Sequence, residues 1–254
     1  MADDTSASAA QGALVRELER VARLHRERRE NPILAGTLER LAFWQSRRLR
    51  MTYADLAADP RYRLAIDFFQ HDLYGSADFS QRDADLARVV PVMVRVLPPA
   101  VVHTAALAME LNALSQELDR ALLSRLPRTD GHLPVADYCR AYRRAGNIPL
   151  RRRQIALIVE VGSALDRYVS KSLIRGALAM MRQPARMAGL NALQDFLERG
   201  FKAFHKMKGA TTFLDTVATR ETDILEAIVG GAVDAFADPM AFRLSEPAGA
   251  RNAR

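Results

Sequence analysis

The sequence predicts an all-α protein, a single-domain multi-helix bundle built around one long central helix. Apolar residues recur with the 3.6-residue period of amphipathic helices along nearly the whole chain. No useful length of sequence alternates with the period of two that half-buried strands show. Helix-breaking residues stand where the helical pattern is interrupted, as at Asn31-Pro32, Pro98-Pro99 and Gly209.

The composition is typical of one folded domain. Of 254 residues, 49% are hydrophobic and 26% are charged, so the chain has enough apolar material for a sizeable core. No apolar run approaches the roughly 20 residues that a membrane span needs, and residues 1–11 lack the apolar segment of a signal peptide. A single cysteine, Cys139, excludes an internal disulfide. We therefore expect a cytoplasmic protein without a transmembrane segment.

Helix boundary signals divide the first half of the chain. Proline after Asn31 begins a helix, because a proline fits the first helical turn. Gly75 is placed to end a helix, and Ser80 to cap the next one. The predicted elements are a disordered tail over 1–11, helices over 12–30, 32–51, 59–75 and 80–97, and a short turn over 52–57, which Thr52 could cap.

The second half is divided by the same signals. Pro99, Pro149 and Pro184 each mark a first helical turn, and Gly209 marks a helix end. The predicted elements are helices over 99–126, 135–145, 149–169, 170–182, 184–207 and 211–236, followed by a loose tail over 237–254. The loop over 127–134 is short, so we expect one helical domain over 12–236.

The helix over 99–126 is predicted to be the central one because it is apolar on two faces. Val102, Ala106 and Met109 lie on one face, whereas Leu111 and Leu118 lie on a nearly opposite face. A surface helix needs only one apolar stripe. A helix with two such faces is therefore expected to pack between neighbouring helices.

Two polar stripes separate those faces, one with His103, Glu110 and Glu117 and the other with Asn112 and Asp119. Either they hold a metal or a polar ligand between helices, or their acids pair with arginines of neighbouring helices or reach water. The second alternative is favoured, since no histidine follows an acid at the three-residue spacing of di-iron bundles. We predict no metal and no cofactor.

Other polar residues stand on predicted apolar faces. They are Glu221 in the last helix, Gln45 beside Arg48 in the second, and His25 in the first. A buried carboxylate needs a cation or a proton, so these residues suggest a buried polar network that serves either packing or a ligand.

Asp72 borders the apolar face of the helix over 59–75. We expect it to hold the following turn by pairing with Arg82.

The chain is basic, with a formal charge of +7, and six arginines crowd one short segment without an acid among them. Arginine is suited to bidentate contacts with phosphate and carboxylate, and a helix that begins at Pro149 favours anions at its N-terminus. The alternatives are an anion site or solvated arginines that pair with acids of the central helix. The candidate ligand-binding residues are Arg140, Arg143, Arg144, Arg151, Arg152 and Arg153.

Catalytic motifs are missing from the sequence. It has no phosphate-binding loop, no GxGxxG and no GxSxG, so we predict no catalytic residues. The leading hypothesis is a non-enzymatic interaction module that binds an unidentified protein or an acidic ligand. One alternative is a bundle that encloses a small molecule or metal, with or without enzymatic activity. Another is a nucleic-acid binder that uses the arginines of residues 140–153.

Several short motifs together resemble a known family. They are Arg61-Tyr62, Phe68-Phe69-Gln70-His71-Asp72-Leu73-Tyr74-Gly75, Asp78-Phe79, Arg82-Asp83, Gly189-Leu190, Phe196-Leu197-Glu198-Arg199-Gly200-Phe201 and Arg220-Glu221. This set is similar to the bacterial all-α proteins named for an FFLEE motif. Gln70 and His71 stand where the name has Leu and Glu, whereas Asp72 keeps a carboxylate in place of the second Glu. The resemblance implies a helical fold and no particular activity.

Overall fold

Helices form every regular element of the described chain, which confirms the all-α prediction. The computed structural model describes residues 2–73, 80–127 and 133–240. The elements up to residue 123 are α1 (Ala2–Glu30), α2 (Pro32–Thr52), α3 (Ala54–Ala58), α4 (Arg63–Phe68), a π-helical turn (Phe69–Leu73), α5 (Ser80–Val96) and α6 (Pro99–Leu123). Those from residue 135 are α7 (Val135–Ala145), α8 (Ile148–Val169), α9 (Ser172–Met180), α10 (Arg182–Met187), α11 (Asn191–Met207) and α12 (Thr211–Val229). Within these ranges, no helix has both the length and the hydropathy to cross a membrane.

Helix α6 lies between α1 and α8, as its two apolar faces predicted. On one side, Val102 and Ala106 share an apolar cluster with Leu14 of α1. On the other side, Leu118 packs against Leu157 of α8. The pattern predicted this correctly because each apolar face needs a neighbour to remove it from water.

Residues 2–11 are helical, where the sequence predicted a disordered tail over 1–11. Helix α1 begins at Ala2, and Ala10 is 5% exposed in a cluster with Val90 of α5 and Val102 of α6. Alanine is the strongest helix former, and the extra turns gain contacts from both neighbours. The sequence alone did not show that neighbours would cover this alanine-rich segment.

The last helix ends earlier than the expected residue 236. Helix α12 stops at Val229, where Gly231 adopts a φ of 106° that favours glycine. The following segment folds back onto the bundle, so that Phe236 packs edge-on against Trp44 and Tyr138. Residues 241–254 of the expected loose tail lie outside the described residues.

Two internal boundaries also differ from the expected ones. The helix expected over 59–75 is divided into α4 and the π-helical turn, and Gly75 lies outside the described residues. The helix expected over 184–207 is interrupted at Gly189, which has a φ of 68°. Pro184 therefore lies in α10, and α11 begins only at Asn191.

Helices α8 and α12 approach each other closely at Gly162. A Cβ atom added there would lie 2.5 Å from Leu214 Cδ2, and Leu214 is only 2% exposed, so its side chain would have to shift within the packed core. We expect Gly162→Ala to lower the free energy of unfolding by about 1–3 kcal/mol, measured by urea denaturation. The matched control is Gly176→Ala, whose added Cβ meets no atom within 4 Å and which we expect to stabilise α9 by up to about 1 kcal/mol. Equal effects of the two substitutions would contradict the close helix contact.

Candidate functional site

A cavity of about 180 Å³ lies within the bundle and is lined by residues of α1, α2, α4, the π-helical turn, α6, α7, α8 and α12. It is comparable with the roughly 150 Å³ cavity that holds one benzene molecule. Two of the apolar clusters supply part of its wall, one through Ile66, Phe213 and Val217 and the other through Ile228 and Phe236. The rest of the wall is polar, so the cavity offers both apolar surface and hydrogen-bonding groups to a small molecule.

Arg48 and Glu221 form a nearly buried ion pair in the wall of this cavity. Arg48 donates to both oxygens of Glu221 over 2.6 and 3.0 Å, and the Tyr53 hydroxyl donates to one of them over 2.8 Å. Burial opposes the charge on Arg48, but Glu221 outweighs this and raises the pKa of the guanidinium. The charges of Arg48 and Glu221 therefore cancel, and this pair adds no net charge to the cavity.

Arg151 is the second guanidinium in the wall, and it is only 6% exposed. It donates over 3.2 Å to the Leu118 carbonyl and over 3.4 Å to Gln154 Oε1, and it stacks 4.4 Å from the centre of the Tyr142 ring. Among the described residues, no carboxylate lies within ion-pair distance of Arg151. A buried cation held only by neutral acceptors is an unusual arrangement, because a charge removed from water normally needs a counter-charge.

Asp119 is the acid whose charge acts on Arg151, but it is poorly suited to neutralising that arginine. The Asp119 carboxylate accepts a hydrogen bond from Gln45 Nε2 over 3.0 Å. Burial raises the pKa of Asp119, although the Gln45 hydrogen bond and the charge of Arg151 partly offset this effect. Arg28 adds a third guanidinium, so the wall carries three guanidiniums, of Arg28, Arg48 and Arg151, and two carboxylates, of Asp119 and Glu221. The cavity is therefore electropositive.

Aromatic side chains line the cavity beside Arg151. Tyr138 stacks on Trp44 with ring centres 4.5 Å apart and lies 6.0 Å from Tyr142. Burial raises the pKa of both tyrosines, so their hydroxyls stay protonated. Cys139 is fully buried in the same apolar cluster, and burial raises the pKa of its thiol, as expected for a packed cysteine.

The six arginines of residues 140–153 have separate environments. Only Arg151 reaches the cavity, and Arg144 is exposed. The partners of the other four are Asp137 for Arg140, the Ile228 and Ala232 carbonyls for Arg143, Glu226 for Arg152, and Glu110 with Glu160 for Arg153. A ligand site made of all six arginines stays a prediction, and the geometry connects only one of them to a cavity.

The carboxylates of the first polar stripe on α6 pair with arginines. Glu110 accepts two hydrogen bonds from Arg153, and Glu117 pairs with Arg20 of α1. His103 is exposed. The alternative in which the acids pair with arginines thus holds for Glu110 and Glu117. The three residues of this stripe, with His103, do not come together with Glu221. Across the described ranges, no group of three or more His, Cys, Asp or Glu side chains is placed to hold a metal ion.

The polar residues that stood on apolar faces do come together. His25, Gln45, Arg48 and Glu221 come from three different helices, and all line the central cavity. Sequence reasoning missed Gln70 and Gln154 as members of this wall. Gln154 had a detectable signal, because it lies three residues after Arg151 and hence on the same side of α8. Gln70 had no such signal.

Asp72 and Arg82 meet in a way that differs from the expected ion pair. The Asp72 carboxylate accepts two hydrogen bonds from Arg199 of α11, over 2.9 and 2.6 Å. Arg82 donates instead to the backbone carbonyl of Asp72 and to the Asp83 carboxylate, each over 2.9 Å. The carboxylates of Asp72 and Asp83 therefore pair with different arginines, which could not be predicted without knowing where α11 lies.

The fold and this site define an all-α protein with an electropositive central cavity. The chain belongs to the family described as "Domain of unknown function (DUF8198)", whose model matches residues 24–235. The matched range includes every lining residue of the cavity named above except Phe236. No curated protein and no solved structure matches the chain. The resemblance to the FFLEE-motif proteins stays a prediction.

Proposed function

We propose that this protein binds a small organic anion, a compact monocarboxylate, in the central cavity and in contact with Arg151. This proposal makes the acidic ligand of the leading hypothesis a small molecule rather than a protein surface. The single observation that carries it is the nearly buried Arg151 guanidinium, which lines a cavity and has only neutral acceptors among the described residues. We also propose, from the sequence alone, that the protein is cytoplasmic and bacterial.

The chemistry of the wall supports a carboxylate with an apolar body. A guanidinium presents parallel N–H donors that match the two oxygens of a carboxylate. Beyond Arg151, the wall continues with apolar side chains such as Ile158 and Phe213. Burying a hydrocarbon body against them would contribute roughly 25 cal/mol per Å² of apolar surface.

The contacts of the other titratable groups favour binding over catalysis. Glu221 is engaged by Arg48 and Tyr53, and Asp119 by Gln45. A general base needs a proton within hydrogen-bond reach and a free acceptor to receive it. The acids of the described wall are thus occupied in holding the site together.

The first test compares two isosteric probes, 5-methylhexanoate and its neutral primary amide, by isothermal titration calorimetry. We expect saturable binding of the carboxylate with a Kd of roughly 1 mM or lower, and much weaker binding of the amide. Arg151→Met is expected to weaken carboxylate binding at least about 30-fold, because it removes one partner of a buried charged contact. Arg151→Lys should retain part of the affinity, since it keeps the charge.

Arg152→Met is the matched control. Arg152 is the next residue along α8, but its side chain is 59% exposed and pairs with Glu226 at the surface. We expect this variant to bind the carboxylate within about twofold of the unmodified protein. Equal losses in both variants, equal binding of carboxylate and amide, or no carboxylate binding at 10 mM or so would each overturn the proposal. Circular dichroism of each variant establishes that it is folded.

A further inference from the structure

Gln70 places an unpaired hydrogen-bond donor in the wall of the same cavity. It lies in the π-helical turn and is 4% exposed. Among the described residues, its amide nitrogen has no hydrogen-bond partner. Buried polar groups in proteins are nearly always paired, so an orphaned donor at a cavity indicates a partner that enters the cavity.

The orientation of the Gln70 amide is held by Arg50. Arg50 Nε donates to Gln70 Oε1 over 3.2 Å. Because an arginine can only donate, the amide oxygen must face Arg50 and the amide NH₂ group must be the end that is left over. This NH₂ group donates hydrogen bonds, so only an acceptor, such as a carbonyl oxygen, can satisfy it.

Helix α2 contacts residues at both ends of this polar wall. Arg50 contacts Gln70, whereas Gln45 contacts Asp119, the acid next to Arg151. Five residues of α-helix correspond to a rise of about 7.5 Å. We therefore choose probes with nine non-hydrogen atoms, which are about as long as this rise and can carry an acceptor at the end remote from the carboxylate.

We propose that Gln70 is a second anchoring residue and that the ligand is a carboxylate with a neutral carbonyl group at its far end, an oxo acid or an acyl amide. This inference rests on the proposed function. Arg151 supplies most of the affinity for the anion, and Gln70 selects ligands that bring a hydrogen-bond acceptor. Gln70 lies in the π-helical turn, and π-helical turns are frequent at functional sites.

The test uses 5-oxohexanoate and 5-methylhexanoate, which share chain length and charge and differ in one non-hydrogen position, a carbonyl oxygen in place of a methyl group. We expect the unmodified protein to bind the oxo acid at least threefold more tightly, the value of one hydrogen bond to an otherwise unpaired donor. Gln70→Met should remove or reverse this preference and leave the affinity for 5-methylhexanoate within about threefold, because methionine has nearly the same shape.

Gln116→Met is the matched control, because Gln116 also lines the cavity but already donates to Asn112 Oδ1 over 3.1 Å. It should keep the preference for the oxo acid. If 5-methylhexanoate binds through Arg151 and Gln70→Met leaves the preference unchanged, the role of Gln70 is refuted and the proposed function stands. If neither acid binds, both proposals are refuted. A large loss of stability in Gln70→Met would assign Gln70 to packing and would also refute its role in selection.

Discussion

Arg48→Met is expected to lower the free energy of unfolding by about 3–5 kcal/mol, because it leaves the nearly buried Glu221 carboxylate without its cation. The two side chains are only 12% and 17% exposed, so water replaces little of the lost interaction. Tyr53 would be the remaining donor to Glu221 in this contact, and one hydrogen bond does not balance a buried charge. Urea denaturation monitored by circular dichroism measures the loss.

A second substitution separates this cause from lost packing. In the double variant Arg48→Met/Glu221→Gln, the stranded charge is removed and the Tyr53 hydroxyl keeps an acceptor, so we expect much of the stability to return. Arg152→Met serves again as the control, because the Arg152–Glu226 pair is 59% and 47% exposed and should contribute less than about 1 kcal/mol. A double variant no more stable than Arg48→Met would show that packing, and not charge, explains the loss.

Asp83→Asn is expected to lower the free energy of unfolding by about 3 kcal/mol at neutral pH. The Asp83 carboxylate accepts from Arg82 Nε over 2.9 Å and from Asn112 Nδ2 over 2.8 Å, and it lies 3.0 Å from His25 Nε2. It thereby connects α1, α5 and α6, and its side chain is 4% exposed. An asparagine of the same size would offer these donors one neutral acceptor and a competing NH₂ group.

The pH dependence of this loss has a definite sign. Burial raises the pKa of Asp83, but the hydrogen bond from His25 and the charge of Arg82 outweigh it and hold the pKa below the usual value of 3.8. The carboxylate therefore stabilises the fold above the pKa of the unfolded chain, and this contribution is lost as pH falls through the lower folded pKa. The difference in free energy of unfolding between the original protein and Asp83→Asn should become smaller below about pH 4.

Asp215→Asn is the control for that experiment, since Asp215 is an exposed acid on α12. Its effect on unfolding at neutral pH should stay within about 0.5 kcal/mol. A gap for Asp83→Asn that widens as pH falls would mean that the protonated acid, and not the carboxylate, is the stabilising form.

Two of the motifs that resemble the FFLEE-motif proteins are joined by an ion pair. Asp72 and Arg199 stand in two separate motifs and form an ion pair across 127 positions of sequence, and Gln70 lies in the same π-helical turn as Asp72. The resemblance could indicate that these positions matter, but it could not indicate their partners. Pairing depends on where α11 packs, which is a property of the whole fold.

Local sequence determined the helices themselves, the central place of α6 and the identity of several buried polar residues. These follow from periodicity and from capping residues such as Asn31, whose Oδ1 accepts from the Leu34 amide over 3.0 Å, and such signals act within a few turns of chain. Some predicted boundaries were wrong, such as the start of the first helix at residue 12, which the structure places at Ala2. These boundaries depend on neighbouring helices that cover otherwise ambiguous segments.

Only the tertiary structure decided which arginine of residues 140–153 faces the cavity. Six arginines are equivalent by composition, but Glu110, Glu226 and the end of α12 engage three of them, and Arg151 alone turns into the bundle. A cavity is the space that remains after many helices have packed, so its wall is composed of residues far apart in sequence. No local pattern encodes that space, whereas every helix that surrounds it is encoded locally.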